Sequence, residues 1–332
     1  MDTVAAPAPA AARRRIDPKV LPLAVTIVLF IAMAAFGSWF YPGFFSLQVL
    51  LNLLIDNAFL CIVAVGMTFV ILSGGIDLSV GAVIALTTMV SAALVERHGW
   101  SPAAVIVTVL LMGTGFGALM GLLIQRFRLQ PFIVTLAGMF LARGLCYVIS
   151  IDSISVTNEF FTQVSQARIP VWADASLSVG AVIALGVLAA AVFIAHFTPF
   201  GRTVYAIGGN EQSAVLMGLP VRSTIVGIYT LSGFCSALAG VVFTFYMLSG
   251  YGLHAVGLEL DAIAAVVIGG TLLSGGVGYV FGTLFGVLML GIIQTLIMFD
   301  GSLSSWWTRI VIGALLFAFC LLQRVFEARR PR

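Results

Sequence analysis

Residues 47–72 read LQVLLNLLIDNAFLCIVAVGMTFVIL, an apolar run with one ionisable side chain, Asp56. A helix needs about 20 consecutive apolar residues to cross the hydrocarbon core of a bilayer, so this run is long enough to span a membrane. Further apolar segments flank it along the whole chain. The predicted spans are 20–40, 47–72, 78–95, 103–124, 131–150, 177–197, 223–249, 260–273, 278–299 and 306–323.

The composition also indicates a membrane protein. Apolar residues make up 61% of the 332 residues and charged residues only 9%, whereas a soluble domain carries about 25% charged residues. A membrane β-barrel would alternate apolar and polar residues over segments of about ten, which these continuous runs do not do. We therefore predict an all-α polytopic membrane protein with about ten transmembrane helices, within a range of eight to eleven. The segment 260–273 is short and rich in glycine, which is typical of a broken or re-entrant helix.

The placement of basic residues predicts the orientation of the chain. Of the 16 lysines and arginines, twelve fall on one side if both termini are cytoplasmic: Arg13, Arg14, Arg15, Lys19, Arg126, Arg128, Arg202, Arg222, Arg324, Arg329, Arg330 and Arg332. Cytoplasmic loops carry such an excess. The five tryptophans fall at the opposite ends of the spans, where indole rings favour the membrane interface; they are Trp39, Trp100, Trp172, Trp306 and Trp307.

The chain divides into one membrane domain and two tails. We predict a disordered cytoplasmic tail at 1–19, a transmembrane permease domain at 20–323 and a basic cytoplasmic tail at 324–332. A cleaved signal peptide ending near Ala32–Ala34 is the alternative for the N-terminal region, but its apolar run of about 19 residues is longer than the usual 7–15. We therefore favour an uncleaved first helix.

Several functional classes are excluded by what the sequence lacks. A P-loop places a lysine after a glycine-rich turn, and the only lysine, Lys19, has no glycine near it. No HExxH, GxSxG or CxxC pattern occurs, and the scattered histidines and cysteines predict no metal site. A net charge of +3 is too small to indicate nucleic acid. The chain therefore reads as a membrane conduit, not an enzyme, that takes its energy from another protein.

Polar groups within the predicted spans are candidates for a translocation path, because charges in lipid are costly and usually face a partner or a water-filled route. They are Asp56, Asn57, Arg143 and Gln294. Asp56 and Arg143 lie at similar predicted depths, so they form either an ion pair that fixes helix packing or part of a polar route. Gln294 is expected to be a buried amide that bonds between helices or recognises a hydroxyl.

Glycine turns flank two of the spans. Gly74 and Gly75 permit a turn, and Asp77 is expected to cap the helix that follows. The motif Leu-Ser-Gly-Gly recurs with Gly275 and Gly276, which marks either equivalent turns in two halves, as in transporter repeats, or a chance match.

The predicted cytoplasmic connection 198–222 is the remaining candidate site. Its glycines are Gly201, Gly208, Gly209 and Gly218, and its polar residues include Arg202, Asn210 and Glu211. The segment from Gln212 through Ser213 and Ala214 to Gly218 is typical of a short amphipathic helix. Either this loop contacts a cytoplasmic motor or it is an ordinary surface loop.

Three motifs resemble a known family, the bacterial ABC importer permeases of the ribose, xylose and arabinose class. They are Asn57–Leu60 with Val65–Gly81, Gly201–Asn210, and Asp261–Ala264 with the following Gly269–Gly276. Within that family, 300–308 is most similar to galactofuranose importer permeases. The wider importer pattern EAA-x3-G marks the helix that docks on the ATPase; here its positions are Gln212, Ser213, Ala214 and Gly218, so the glutamate and one alanine are replaced.

The resemblance implies the fold, the partners and the cargo. It implies a second permease subunit, either a copy of this chain or a paralogue, a cytoplasmic ATPase that binds ATP and Mg²⁺, and a periplasmic sugar-binding protein, in the lipid of the bacterial inner membrane. The expected activity is import of a neutral monosaccharide, galactofuranose or another pentose or hexose. The alternative class is a secondary sugar transporter driven by H⁺ or Na⁺, with Asp56 as its proton site.

Overall fold

The computed structural model describes residues 21–44, 46–172, 175–302, 304 and 306–328. The predicted tail at 1–19 lies outside these residues. The predicted tail at 324–332 begins within a helix that continues to Ala328, so the last helix is longer than its apolar pattern indicated. The described helices and strands are α1 (Leu21–Phe40), α2 (Leu47–Asp56), α3 (Ala58–Leu72), α4 (Val80–Ala92) extended by a π turn (Ala93–Arg97), α5 (Pro102–Phe127), α6 (Pro131–Ile149), β1 (Ile154–Ser155), α7 (Glu159–Gln166), β2 (Arg168–Trp172), β3 (Ala175–Ser178), α8 (Val179–Phe197), α9 (Pro199–Gly209), α10 (Glu211–Leu216), α11 (Val221–Met247), β4 (Ser249–Gly250), α12 (Leu258–Ile268), α13 (Val280–Asp300) and α14 (Trp306–Ala328).

Seven described helices are long and apolar enough to cross a membrane: α1, α4 with its π turn, α5, α6, α8, α11 and α13. The pair α2 and α3, bent by 59°, gives an eighth if the two count as one span. The predicted helical membrane architecture is therefore confirmed, although four short strands accompany the helices, and the predicted total of about ten spans is not confirmed. At 1.5 Å per residue, α12 is only about 17 Å long, because Gly269 and Gly270 end it after 11 residues. The apolar part of α14 in the described chain ends at Leu321.

The bundle has two distinct ends, which we name the α7 end and the α9 end. At the α7 end, β1 pairs with β4 and β2 pairs with β3. Glu96 fastens this end by accepting hydrogen bonds from the backbone N–H groups of Thr157 (2.7 Å) and Asn158 (2.9 Å). The α9 end carries α9, α10 and the turns that follow α3 and α12.

The most extensive contact between two described helices is the close backbone-to-backbone packing of α5 on α11. Gly113, Gly117 and Gly121 recur every four residues on one face of α5; Gly233 of α11 faces the first two, and Val226 of α11 faces Gly121. A Cβ at Gly113 would lie 2.8 Å from the carbonyl oxygen of Gly233. Small residues at this spacing let two helices approach closely in lipid. The approach places α11 against α3, whose side chains are almost all buried.

Candidate functional site: a glycine junction and a polar cavity

Three glycine pairs meet at the α9 end: Gly74 with Gly75, Gly208 with Gly209, and Gly275 with Gly276. We call this cluster the glycine junction. The backbone N–H of Gly276 donates a hydrogen bond of 2.8 Å to the carbonyl oxygen of Leu72. Gly74, Gly275 and Gly276 have φ values of 81°, 82° and 73°, a left-handed region that glycine adopts without the steric cost of a Cβ. Both turns therefore need glycine to pass each other this closely.

Helix α9 lies directly against the glycine junction. A Cβ at Gly208 would overlap the carbonyl oxygen of Leu72 and the backbone N of Gly276, whereas a Cβ at Gly209 would meet no described atom within 4 Å. Tyr205, one turn earlier, donates a hydrogen bond of 2.9 Å to the carbonyl of Gly278. Burial raises the pKa of Tyr205 to about 12, so the hydroxyl remains a donor at neutral pH. The glycine junction thus connects the candidate cytoplasmic loop to both glycine turns.

The structure brings the two Leu-Ser-Gly-Gly segments into direct contact. A Cβ at Gly275 would lie 2.8 Å from the backbone N of Gly74. Each segment follows a helix, α3 or α12, and precedes another, α4 or α13. The two segments therefore occupy equivalent places in two helix pairs, as the repeat interpretation expects.

Asp77 does not cap α4 in the manner predicted. The N-cap position is Ser79, and Asp77 accepts hydrogen bonds from its backbone N–H (2.9 Å) and hydroxyl (2.6 Å). The other carboxylate oxygen accepts a bond of 2.7 Å from the hydroxyl of Ser232 in α11. The reason for the difference is that Asp77 is fully buried, so its oxygens bond to a tight local turn and to a neighbouring helix. Asp77 therefore links the α3–α4 turn to α11.

The connection 198–222 folds as two short helices. The hydroxyl of Thr198 caps α9 at the N–H of Gly201, and the side chain of Asn210 caps α10 at the N–H of Ser213 (2.8 Å). Ala214 packs inward, and Gly218 ends the turn with φ of 74°. The residues exposed at this surface include Arg202, Gly209, Asn210, Glu211, Gln212 and Ser213.

An apolar patch lies next to these polar residues. Val215, Leu216 and Met217 are 56%, 88% and 67% exposed. Three adjacent apolar side chains in this position are costly to leave in water, so the tip of α10 has the character of a contact surface.

The predicted ion pair between Asp56 and Arg143 is wrong. Among the described residues, Asp56 bonds with the hydroxyl of Tyr246 (3.4 Å). The Arg143 guanidinium donates to the carbonyls of Gly252 (2.7 Å) and His254 (2.6 Å). The two residues lie at similar depths but on helices that are not neighbours. Arg143 is on α6, which packs on α4 and α5, whereas Asp56 is on α2, which packs on α3, α8 and α13.

Arg143 instead holds the loop between α11 and α12. His254 in that loop also lies within 3.3 Å of the hydroxyl of Thr88. Burial, together with the positive charge of Arg143, lowers the pKa of His254. The loop is therefore fixed by a cation at its backbone and carries an imidazole that favours its neutral form.

Two other candidate path residues differ in their surroundings. Asn57 is buried at the α2–α3 bend, where its amide donates to the carbonyl of Leu53 (2.9 Å). Gln294 is exposed rather than buried, so the predicted buried amide is wrong. Helix α13 buries the face that contains Gly286 and Ile293, and the next residue points about 100° away from that face.

A polar cavity of about 280 Å³ opens near the α7 end. It lies at the bend between α2 and α3, where Asp56 is exposed at its wall. The lining includes Asn52, Asp56, Phe59, Ser165, Arg168, Ser178, Phe245 and Tyr246. The cavity thus combines one carboxylate, one guanidinium, an amide, hydroxyls and aromatic rings.

Sequence reasoning missed most of this cavity. Gln48, Asn52 and Asp56 recur every four residues, so they share one face of α2, and this spacing was a signal available in the sequence. Tyr246 and Arg168 come from elements distant in the chain, and no local pattern placed them near Asp56.

Comparison with known proteins identifies relatives of this chain. Residues 49–320 match the family model described as the permease component of branched-chain amino acid transport systems. The inner membrane ABC transporter permease protein YjfF of Escherichia coli is 53% identical over 304 residues, which is 92% of each chain. The fructose import permease protein FruG of Bifidobacterium longum is 42% identical over 95% of this chain and 94% of its own. The ribose import permease protein RbsC of Haemophilus influenzae is 40% identical over 81% of this chain and 83% of its own.

No solved structure matches the chain. The family match, the relatives and the apolar helices agree with the predicted location, and the chain is a multi-pass protein of the bacterial inner membrane. It belongs to the family of ABC transporter permeases that includes the fructose and ribose import permeases, as its sequence motifs predicted.

Proposed function

We propose that this chain is the permease subunit of an ABC importer that carries a neutral monosaccharide into the cytoplasm. A separate ATPase subunit binds ATP and Mg²⁺, a second permease subunit completes the path, and a periplasmic protein delivers the sugar. The observation that supports this most directly is the glycine junction. Through it α9, a candidate motor contact, touches the backbone of both glycine turns.

The α9 end is the cytoplasmic side in this proposal. Arg126, Arg128, Arg202 and Arg222 lie there, in line with the excess of basic residues in cytoplasmic loops. The tryptophans Trp39, Trp100, Trp172, Trp306 and Trp307 lie at the other end and are all exposed.

We also propose that α12 and α14 cross the membrane with their neighbours, so that the chain passes ten times. The start of α12 lies near the α7 end, where Asp261 pairs with Arg309 of α14 (3.1 Å). Its end carries the turn that bonds to Leu72 at the α9 end. A short helix followed by an extended glycine-rich segment can cover this distance where other helices shield its backbone from lipid.

Coupling follows from the same contacts. The exposed Val215, Leu216 and Met217 dock on the ATPase, and closure of the ATPase moves α10 together with α9. Because Gly208 leaves no free space against Leu72 and Gly276, that movement displaces both glycine turns and the helices they join. This opens or closes the cytoplasmic side of the path.

A neutral monosaccharide is the cargo class that the chain fits best. The relatives are named for fructose, ribose and D-allose, and a neutral polyol is bound by hydrogen bonds without a relay of charges. Galactofuranose is the specific sugar that the similarity of residues 300–308 supports.

Reconstitution tests this function. The chain is placed in liposomes alone, with its ATPase, and with its ATPase, partner permease and binding protein, and uptake of labelled D-galactose, D-fructose and D-ribose is measured. Uptake that needs ATP and the ATPase supports the proposal. Accumulation by the chain alone under a proton or sodium gradient would overturn it in favour of a secondary transporter.

A further inference from the structure

The cavity near the α7 end is built from five separate parts of the chain: α2, the start of α3, α7 with β2, the start of α8, and the end of α11. Its position matters because a solute from the periplasm would reach this end first in the proposed orientation. Its walls are part polar and part aromatic. A cavity assembled from so many elements is held in shape by the fold rather than by one loop.

The polar groups of one wall are held in place. Gln48 donates to the side-chain oxygen of Asn52 (2.7 Å) and accepts a bond from the backbone N–H of Ser176 (2.9 Å). Only the side-chain oxygen of Asn52 takes part in this contact, so its amide N–H groups remain available to another acceptor. Arg168 is positioned by the carbonyls of Ser165 (2.9 Å) and Ala167 (3.2 Å). Asn52 and Arg168 line the cavity, and protein contacts hold both side chains in the absence of a ligand.

Asp56 retains most of its capacity to accept hydrogen bonds. Its one described partner is the hydroxyl of Tyr246, at 3.4 Å, near the upper limit for a hydrogen bond. A carboxylate has about four acceptor sites, so several remain. Tyr246 in turn has lone pairs that can accept a bond.

Aromatic rings also line the cavity. The Phe59 ring packs edge-on against Phe243 at a centroid distance of 4.8 Å and lies 6.0 Å from the Tyr246 ring. Phe245 lines the same cavity. Rings fixed in this way offer a flat apolar surface for the C–H face of a small ring.

We propose, resting on the importer function above, that this cavity is a monosaccharide-binding site within the permease itself. Asp56 accepts hydrogen bonds from two neighbouring hydroxyls of the sugar, while Asn52 and Tyr246 bind a third. Phe59 and Phe245 cover the apolar face of the sugar ring. Asp56 is therefore a specificity-determining residue of the permease.

A zwitterionic amino acid is the competing ligand, because Asp56 and Arg168 could bind its ammonium and carboxylate. The observations favour a polyol, since the cavity also presents the amide of Asn52 and the hydroxyls of Ser165 and Ser178. An aliphatic amino acid would offer no hydrogen-bond partner to the amide N–H groups of Asn52, which the contact with Gln48 does not use, or to the hydroxyl of Ser165, and desolvating polar groups without a partner is costly.

The first test uses the complete transporter in liposomes, with the loaded binding protein well below the concentration that saturates uptake, so that the uptake rate follows the affinity of the permease for the sugar. Asp56→Asn and Tyr246→Phe are compared with Asp152→Asn, which makes the same chemical change at an exposed residue outside the cavity. Loss of a hydrogen bond to a charged group lowers affinity about tenfold or more, so ATP-driven uptake should fall by that factor in Asp56→Asn. Uptake by Asp152→Asn should match the wild type. Co-purification of the ATPase and the partner permease with each variant checks that the complex assembles, and basal ATP hydrolysis by Asp152→Asn should match the wild type.

The second test measures binding without ATP. Ser165→Cys is labelled with a membrane-impermeant maleimide, and Ser153→Cys, exposed outside the cavity, is the control; labelling of the native cysteines is subtracted using the wild type. Saturating D-galactose, D-fructose or D-ribose should slow labelling at position 165 and leave position 153 unchanged. Protection by L-leucine rather than by any sugar would overturn the proposal in favour of an amino acid.

The two proposals fail in different ways. If the wild-type complex takes up sugar with ATP but Asp56→Asn does so equally well and no sugar protects position 165, the cavity proposal is wrong and the importer function stands. If no sugar is taken up with ATP while sugar still protects position 165, the importer function is wrong and the binding site stands.

Discussion

The backbone N–H of Gly276 donates a hydrogen bond of 2.8 Å to the carbonyl oxygen of Leu72. This bond joins the turn after α3 to the turn after α12, two segments far apart in the sequence. Gly208 of α9 lies over the same carbonyl. Two pairs of helices and the loop proposed to contact the ATPase therefore share one backbone contact.

Gly208→Ala should uncouple the transporter. The added methyl group would overlap the Leu72 carbonyl, and overpacking of this kind typically costs about 1–3 kcal/mol. Gly209→Ala is the matched control, because a methyl there meets open space and alanine favours a helix over glycine. We expect ATP-driven uptake to fall at least tenfold in Gly208→Ala alone, measured beside ATP hydrolysis in proteoliposomes. Equal uptake by the two variants would show that the glycine junction does not transmit movement.

The glycine junction shows how far sequence reasoning reached. The sequence predicted that Gly74, Gly75, Gly275 and Gly276 form turns, because each glycine pair follows an apolar run and glycine adopts the backbone conformations that a turn requires. It placed Gly208 in a different candidate site. The meeting of all three pairs depends on how α9 packs beneath α3 and α12, and such long-range packing leaves no local signature.

The polar residues show what the sequence could not predict, namely which side chains are neighbours. The depth of a residue within a span can be counted along the sequence, and this count placed Asp56 and Arg143 at similar depths in the membrane. Which way each side chain faces depends on the rotation of α2 and α6 in the bundle, and the structure turns them toward Tyr246 and toward the 252–254 backbone. The family was predictable because its motifs are local; the cavity was not, because five elements form it.

Leu216→Ser should weaken binding of the ATPase without affecting the permease itself. Leu216 is 88% exposed, so the change removes no internal packing. Burial of a leucine at an interface contributes about 1.5–3 kcal/mol, which corresponds to about a tenfold to hundredfold loss of affinity. The dissociation constant of the ATPase is measured on purified permease, with Leu253→Ser, exposed at the α7 end, as the control. Unchanged affinity in Leu216→Ser would place the ATPase contact elsewhere.

Ser232→Ala should destabilise the permease more than Ser236→Ala. Both serines are buried in α11, but Ser232 bonds to Asp77 of another segment, whereas Ser236 bonds to the carbonyl of Ser232 in its own helix. Ser232→Ala leaves a buried carboxyl oxygen of Asp77 without its partner, which costs about 1–3 kcal/mol. Melting temperatures in detergent compare the two variants. Equal melting temperatures would mean that the contact between Asp77 and α11 contributes little to stability.

Arg143→Gln should loosen the loop between α11 and α12. The arginine donates to two backbone carbonyls, those of Gly252 and His254, and the loss of such charged hydrogen bonds costs about 1.5–3 kcal/mol each. Arg97→Gln is the control, because Arg97 also bonds to a carbonyl at the α7 end but is exposed. Hydrogen exchange of residues 249–257 should accelerate only in Arg143→Gln. Equal exchange in both variants would contradict this role.

Double-mutant cycles should detect coupling between Asp261 and Arg309, which form an ion pair, and none between Asp56 and Arg143, which the sequence placed only at similar depth. Asp261 and Arg309 are 3.1 Å apart, with the arginine side chain 53% exposed, so solvent screens the pair and a coupling energy of about 0.2–1 kcal/mol is expected. Asp56 and Arg143 bond to different partners, and residues without shared contacts contribute additively. The free energies of unfolding are measured for Asp261→Asn with Arg309→Gln, and for Asp56→Asn with Arg143→Gln. A coupling energy in the second cycle as large as in the first would contradict the structure, because it would require Asp56 and Arg143 to interact directly.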